Sequence, residues 1–244
     1  MAASGGLKNA KAIWLLVGVL VCAGVATIVM LTTVQADIGG EDADGRVKAV
    51  QRIVSNRPPG ARTALVKAAR SDTSAQVREA AFAGLTHFKQ DADRPLFEEG
   101  TRDKDPRVRS VAADTLGTYN DAQATSTLIN LVKSDPSDRV RMAALRGLAR
   151  CEDPRAVVCI LETAEKDEDS GIRLQAMKAL LTKFKANIRV TRDPRNEAAW
   201  RDLIQRFKWD QRIRDAYAAA GVQLVDRPQD ILGKDWHPER HQYK

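Results

Sequence analysis

The stretch DPRVRSVAADTLG at residues 105–117 has three relatives in the same chain: AQVREAAFAGL at 75–85, DRVRMAALRGL at 138–148 and SGIRLQAMKAL at 170–180. Aligned on a Val-Arg or Ile-Arg pair, their anchors are Val77, Val108, Val140 and Ile172, spaced 31, 32 and 32 residues apart. Four positions on stand Ala81, Ala112, Ala144 and Ala176; eight positions on stand Leu85, Leu116, Leu148 and Leu180. Offsets of 0, 4 and 8 fall on one side of an α-helix, so each copy predicts an amphipathic helix with a small-residue centre. The register also runs backwards. Twelve residues before each anchor come Leu65, Leu96, Leu128 and Ile160, and eight before come Ala69, Gly100, Val132 and Ala164. These positions define a first helix preceding the second. Five residues before each anchor, in the turn, stand Asp72, Asp103, Asp135 and Asp167. Pro106 and Pro136 follow that turn, where proline can open a helix but would break its interior.

The unit is thus a helix–turn–helix of 31 to 32 residues in four copies. One such hairpin buries its apolar side poorly, and stacking on neighbours completes the core. The expected fold is all-α: a right-handed α-solenoid of about four to five hairpins, preceded by one N-terminal transmembrane helix. Composition agrees, because aromatics make up only 5% of a chain that is 43% hydrophobic, which suits a small-residue helical core better than a sheet.

The membrane helix is read from Ala12 to Val34, 23 residues without a charge. As a helix it would reach ~34 Å, enough for a hydrocarbon layer of ~30 Å. A cleavable signal peptide is the competing reading, since Val34-Gln35-Ala36 resembles a cleavage site. The apolar run is longer than signal peptides use, which favours an uncleaved anchor. Lys8 and Lys11 precede it, placing the N-terminus in the cytoplasm and the rest of the chain beyond the inner membrane.

Residues 1–11 are then a short leading segment, 12–34 the span, 35–59 a linker and capping helix, and 60–184 the four repeats. In the capping helix Val47, Val50, Ile53 and Val54 share a face, Val47 lies 30 residues before Val77, and RPPG at 57–60 ends the helix. The period fails after Phe184, and Ile213-Arg214 comes 41 residues after Ile172. Asp193-Pro194 starts a helix with Trp200, Leu203, Ile204 and Phe207 on one face, and Gly221 stops the next. Residues 185–221 are therefore read as a divergent capping hairpin and 222–244 as a polar tail.

The pattern D-x-x-x-x-V-R-x-x-A-x-x-x-L resembles HEAT repeats, in particular the short bacterial type of the phycobilin lyases, over residues 60–184. The resemblance implies a ladder of hydrogen bonds between repeats, from a turn aspartate and the arginine six residues later. The pairs would be Asp72/Arg78, Asp103/Arg109, Asp135/Arg141 and Asp167/Arg173. A buried turn needs its polar groups satisfied, which an arginine fork can do, so these arginines read as joints between repeats rather than as a phosphate-binding stripe. The resemblance also implies that the second helices line a concave face. Offsets of two and six from the anchors put Glu79, Ala83, Ser110, Asp114, Met142, Arg146, Leu174 and Lys178 on it. Exposed Met142 and Leu174 beside Arg146 and Lys178 would make a docking patch for a protein partner.

No catalytic, cofactor-binding or metal-binding residue is assigned. The three cysteines form no CxxC pair, so neither a zinc site nor a disulfide framework is indicated, although Cys151 and Cys159 could pair if exported. His237, Glu239 and His241 fall in a proline-broken tail, and His87 sits at a helix end. The net charge of +7 admits an anionic partner. The leading expectation is a membrane-anchored scaffold for a protein of unknown identity, without catalysis and without cofactor. Nucleic-acid binding ranks behind it, because it requires a cytoplasmic domain, and a lyase-type enzyme or accessory subunit follows from the resemblance.

Overall fold

In the computed structural model the described residues are 38, 42–88, 90–184, 204–205, 208 and 210–223. The segment 12–34, the helix start at Asp193-Pro194 and the histidines of the tail lie outside them. Among the described residues every regular element is helical, and the chain divides into two compact units, residues 1–89 and 90–244.

The first unit holds α1 (Ala43–Asn56), α2 (Ala61–Ser71) and α3 (Ala75–Leu85). Helices α2 and α3 form a hairpin, and α1 packs chiefly on α3. Between α1 and α2 the chain turns through Arg57 and Gly60, both in the left-handed region at φ 46° and 81°. The second unit holds α4 (Arg94–Gly100), α5 (Pro106–Leu116), α6 (Ala122–Ser134), α7 (Asp138–Arg150), α8 (Pro154–Lys166), α9 (Ser170–Lys183) and α10 (Gln211–Ala219). Here α4/α5, α6/α7 and α8/α9 are successive hairpins. The second helices stack in the order α5–α7–α9, and α10 lies against α8.

Aspartates recur at the helix starts. Asp42, Asp105, Asp121, Asp153, Asp169 and Asp210 each accept a backbone N–H of the first turn, with Pro106 and Pro154 at the first helical position. These caps satisfy donors that have no partner inside the helix. Every apolar repeat column is buried: the Val/Ile anchors, the alanines four on and the leucines eight on are all sealed from solvent. A further buried column, Phe82, Ala113, Leu145 and Met177, lies five residues after the anchors. Burying each of its large members contributes about 1.5–3 kcal/mol. Close helix approach completes the packing. A Cβ on Gly84 would lie 2.7 Å from Val54 Cγ2, and one on Gly117 would lie 2.4 Å from the Gly147 backbone.

The four turns share one geometry. Each turn aspartate accepts the N–H two residues on, with Ser74 to Asp72 at 2.8 Å, Asp105 to Asp103 at 2.8 Å, Ser137 to Asp135 at 2.9 Å and Asp169 to Asp167 at 2.9 Å. In three repeats the arginine six residues later donates Nη1 to the same aspartate's main-chain carbonyl: Arg78 at 2.9 Å, Arg109 at 3.0 Å and Arg173 at 2.9 Å. The carboxylates of Asp72 and Asp135 face backwards along the chain. Arg109 binds Asp135 through Nε and Nη2 at 2.8 and 2.9 Å, and Arg46 binds Asp72 through the same two atoms, both at 2.9 Å.

Two expectations change here. Side-chain pairing within Asp72/Arg78 gives way to an arginine that donates to the carbonyls closing its own first helix. At Asp72 and Asp135 the carboxylate reaches an arginine 26 residues earlier. Arg141 departs further: Asp138, three residues back on its own helix, takes its Nη2 at 2.7 Å, and its Nε has no hydrogen-bond partner among the described residues. The register of the capping helix also shifts. Arg46 lies 32 residues before Arg78, so the anchor position falls on Gly45, and Ala49, Val50 and Ile53 occupy the buried columns four, five and eight places on. Val47 and Val54 are only half-buried.

The Asp72 carboxyl feels opposing influences: burial raises its pKa, while the Arg46 guanidinium and the Ser74 N–H lower it, and the net shift is below the ordinary 3.8. A depressed folded-state pKa stabilises the fold in full above the unfolded value and ceases to do so as pH falls through the folded one. Acid should therefore lower the urea midpoint between ~pH 4 and pH 2. The Asp72→Asn chain should be less stable at neutral pH and lose less over that range. Equal acid slopes for the two chains would rule this contribution out.

Candidate functional site

The second helices carry the candidate residues, and the structure places them unequally. In the first unit Glu79 is half-buried and Ala83 exposed on α3. In the second unit Ser110 is buried on α5 and its hydroxyl accepts from Arg139 Nε at 3.1 Å. Met142 on α7 and Leu174 on α9 are half-buried, and the methyl of Met142 reaches toward Gly171. Val222 is the exposed large hydrophobic among the described residues, at 39%. The expectation of an exposed Met–Leu patch is therefore narrowed: both side chains are half-buried, and Met142 leans toward α9.

Charge dominates what remains open on this face. Asp114 on α5 meets two arginines of α7. Arg150 Nη2 lies 2.9 Å from its carboxylate, and Arg146 Nε lies 3.5 Å from the same oxygen. Arg150 also donates to the Asp114 main-chain carbonyl. Lys178 is exposed on α9 and has no ion-pair partner among the described residues. Asp114 and Arg146 stand six residues after successive anchors, and the fold brings them together.

A second feature escaped the sequence. Ser126, Ile129, Asn130 and Lys133 form one stripe on α6, and Arg155, Val158, Cys159 and Glu162 form the matching stripe on α8. Both follow i, i+3, i+4, i+7 spacing. Between them lies a groove of about 350 Å³, also lined by Ala220 and Val222 after α10. Arg155 is held at its rim by Asp153 at 2.6 Å and by Ser126 at 3.2 Å. The i+4 spacing that could have signalled the stripes was hidden, because only the fold says which two first helices are neighbours.

The two cysteines occupy different surroundings. Cys151 is buried against the carbonyls of Gly117 and Gly147, whereas Cys159 lines the groove, and both are free thiols. Burial pushes the Cys159 thiol up to about 11 and also raises Cys151. Neither is a thiolate at neutral pH, so neither is an activated nucleophile there. Near Cys151, burial lowers the pKa of Lys183, whose ammonium donates to the Cys151 carbonyl. His87 is exposed in the short 3-10 turn after α3.

Hairpins stacked through buried small-residue columns, with aspartate–arginine bonds joining successive copies, define an α-helical repeat protein. The chain belongs to the HEAT repeat family, which it matches over residues 62–149, 94–181 and 125–220. No curated protein sequence matches it. Among solved structures, the complex of CpcE and CpcF of phycocyanin lyase from Nostoc sp. PCC7120 is similar in fold, at 19% identity and a TM-score of 0.51. The likeness covers 63% of this chain and 99% of that one.

Proposed function

We propose that this chain is a membrane-anchored HEAT-repeat scaffold whose second-helix face docks a protein partner, with no chemistry of its own. The observation that carries the reading is the open charge on stacked helices: Arg146 and Lys178 are exposed on adjacent second helices, above half-buried Met142 and Leu174. A rigid stack presenting charge around an apolar seam is suited to fixing a partner's orientation. That the similar solved structure is itself a complex of two different proteins supports this choice.

The anchor is proposed from the uncharged run at 12–34, with the repeats beyond the inner membrane. No described helix is long and apolar enough to span a bilayer. A lyase-type subunit is the second reading, favoured by the same fold likeness, and a purified chain carrying or transferring a chromophore would establish it.

The test uses the full chain, extracted from the membrane fraction with mild detergent and used as bait. It should recover a protein partner, and Arg146→Glu combined with Lys178→Glu should reduce recovery about tenfold or more. Undiminished recovery by the double variant would remove this face from the docking reading. Extraction without detergent would remove the anchor.

A further inference from the structure

We propose that Asp114 is the resident occupant of a carboxylate-binding site formed by Arg146 and Arg150, and that the partner of this face presents an acidic peptide segment that takes its place. The inference rests on the docking reading above and names the partner's chemistry. Arg146 and Arg150 lie four residues apart on α7, one helical turn, so their side chains share a face. Both converge on one oxygen of the Asp114 carboxylate, at 3.5 and 2.9 Å. The chain's own carboxylate thus shows which ligand the two guanidinium groups accept.

The three side chains are between 40% and 47% exposed, and ion pairs in water hold weakly. An incoming carboxylate would exchange one exposed pair for another at little cost. The two arginines are not held alike. Arg150 keeps its bond to the Asp114 main-chain carbonyl whatever the carboxylate does, and so stays in position. Arg146 pairs only with Asp114 among the described residues, at 3.5 Å and without a hydrogen bond, and is the more loosely held of the two. Two guanidinium groups share the one carboxylate, and Lys178, exposed on the adjacent second helix, adds a further cation to this face. Met142 stands one turn before Arg146 and Leu174 one turn before Lys178. Such apolar neighbours reward peptide side chains and give nothing to a phosphate backbone, which is why an acidic peptide is favoured over nucleic acid.

The experiment measures binding of a fluorescently labelled oligo-glutamate peptide to the full chain by anisotropy at low salt. Asp114→Asn, close in size to the native residue, should bind the peptide about threefold more tightly than the unchanged chain. Arg146→Glu should bind it at least threefold more weakly, and added salt should weaken all three. The proposal is overturned if Asp114→Asn binds no more tightly, if neither chain binds the peptide, or if an oligonucleotide of equal charge binds more tightly than the peptide. Should Asp114→Asn have no effect while the Arg146→Glu, Lys178→Glu chain still loses its partner, the resident-occupant idea fails and the docking reading stands. If instead Asp114→Asn binds the peptide more tightly but the recovered partner is indifferent to the double change, the carboxylate site stands and the docking reading fails.

Discussion

Gly117→Ala is expected to destabilise the second unit by about 3 kcal/mol, the large end of what overpacking costs. Gly117 ends α5 at φ −61°, an ordinary helical conformation, so alanine meets no backbone penalty there. On propensity alone the change would be neutral or mildly stabilising. What opposes it is contact: the added Cβ would stand 2.4 Å from both Cα and the carbonyl oxygen of Gly147. These are main-chain atoms of a neighbouring helix, and no rotamer change can move them. The stack α5–α7 would have to open, loosening Ala113 and Leu145 with it. Gly147→Ala should cost less, because its Cβ would sit at 3.0 Å from the Ala113 carbonyl and 3.0 Å from a Leu128 methyl that can turn away. Thermal and urea unfolding of the two variants should rank Gly117→Ala below Gly147→Ala and both below the unchanged chain. A Gly117→Ala midpoint equal to the original would show that the two helices are not packed backbone to backbone.

That contact illustrates what sequence could and could not disclose. The period-32 register exposed the apolar columns because each needs the same residue type in every copy, and all of them are buried. The column five residues after the anchor stayed hidden, since Phe82, Ala113, Leu145 and Met177 differ in volume to fill differently shaped gaps. The glycine pair Gly117 and Gly147 was invisible for the same reason: it answers a local approach, not the repeat. In the joints, sequence paired Arg78, Arg109 and Arg173 with aspartates whose main-chain carbonyls they do bind, but not with the carboxylates that reach across copies. A pattern within one copy cannot show that Asp135 reaches Arg109 in the copy before it. The capping helix was shifted by two residues because Val47 looked like an anchor, whereas Arg46 and its bond to Asp72 set the true register. On the second-helix face the candidates were found singly. Their joining, Asp114 to Arg146 and Arg150, appears only when α5 and α7 are laid side by side.

The joint between Arg109 and Asp135 is where a single atom group should matter most after the glycine contact. Asp135→Ala is expected to cost about 3 kcal/mol, because it strips a nearly buried guanidinium of its bidentate partner and the Ser137 N–H of its acceptor. The Asp135 and Arg109 side chains are only 5% and 13% exposed, so water replaces little of what is lost. Asp135→Asn should fall between, since its amide oxygen can still cap the turn while offering Arg109 one neutral acceptor. Asp138→Ala is the counterweight. Asp138 pairs with Arg141 on the same helix but is 55% exposed, and its removal should leave the unfolding midpoint nearly unchanged. If unfolding curves instead show Asp135→Ala and Asp138→Ala to be equally mild, the joints do not hold the copies together. The stack would then rest on its apolar columns alone, with the aspartates serving only to shape each turn.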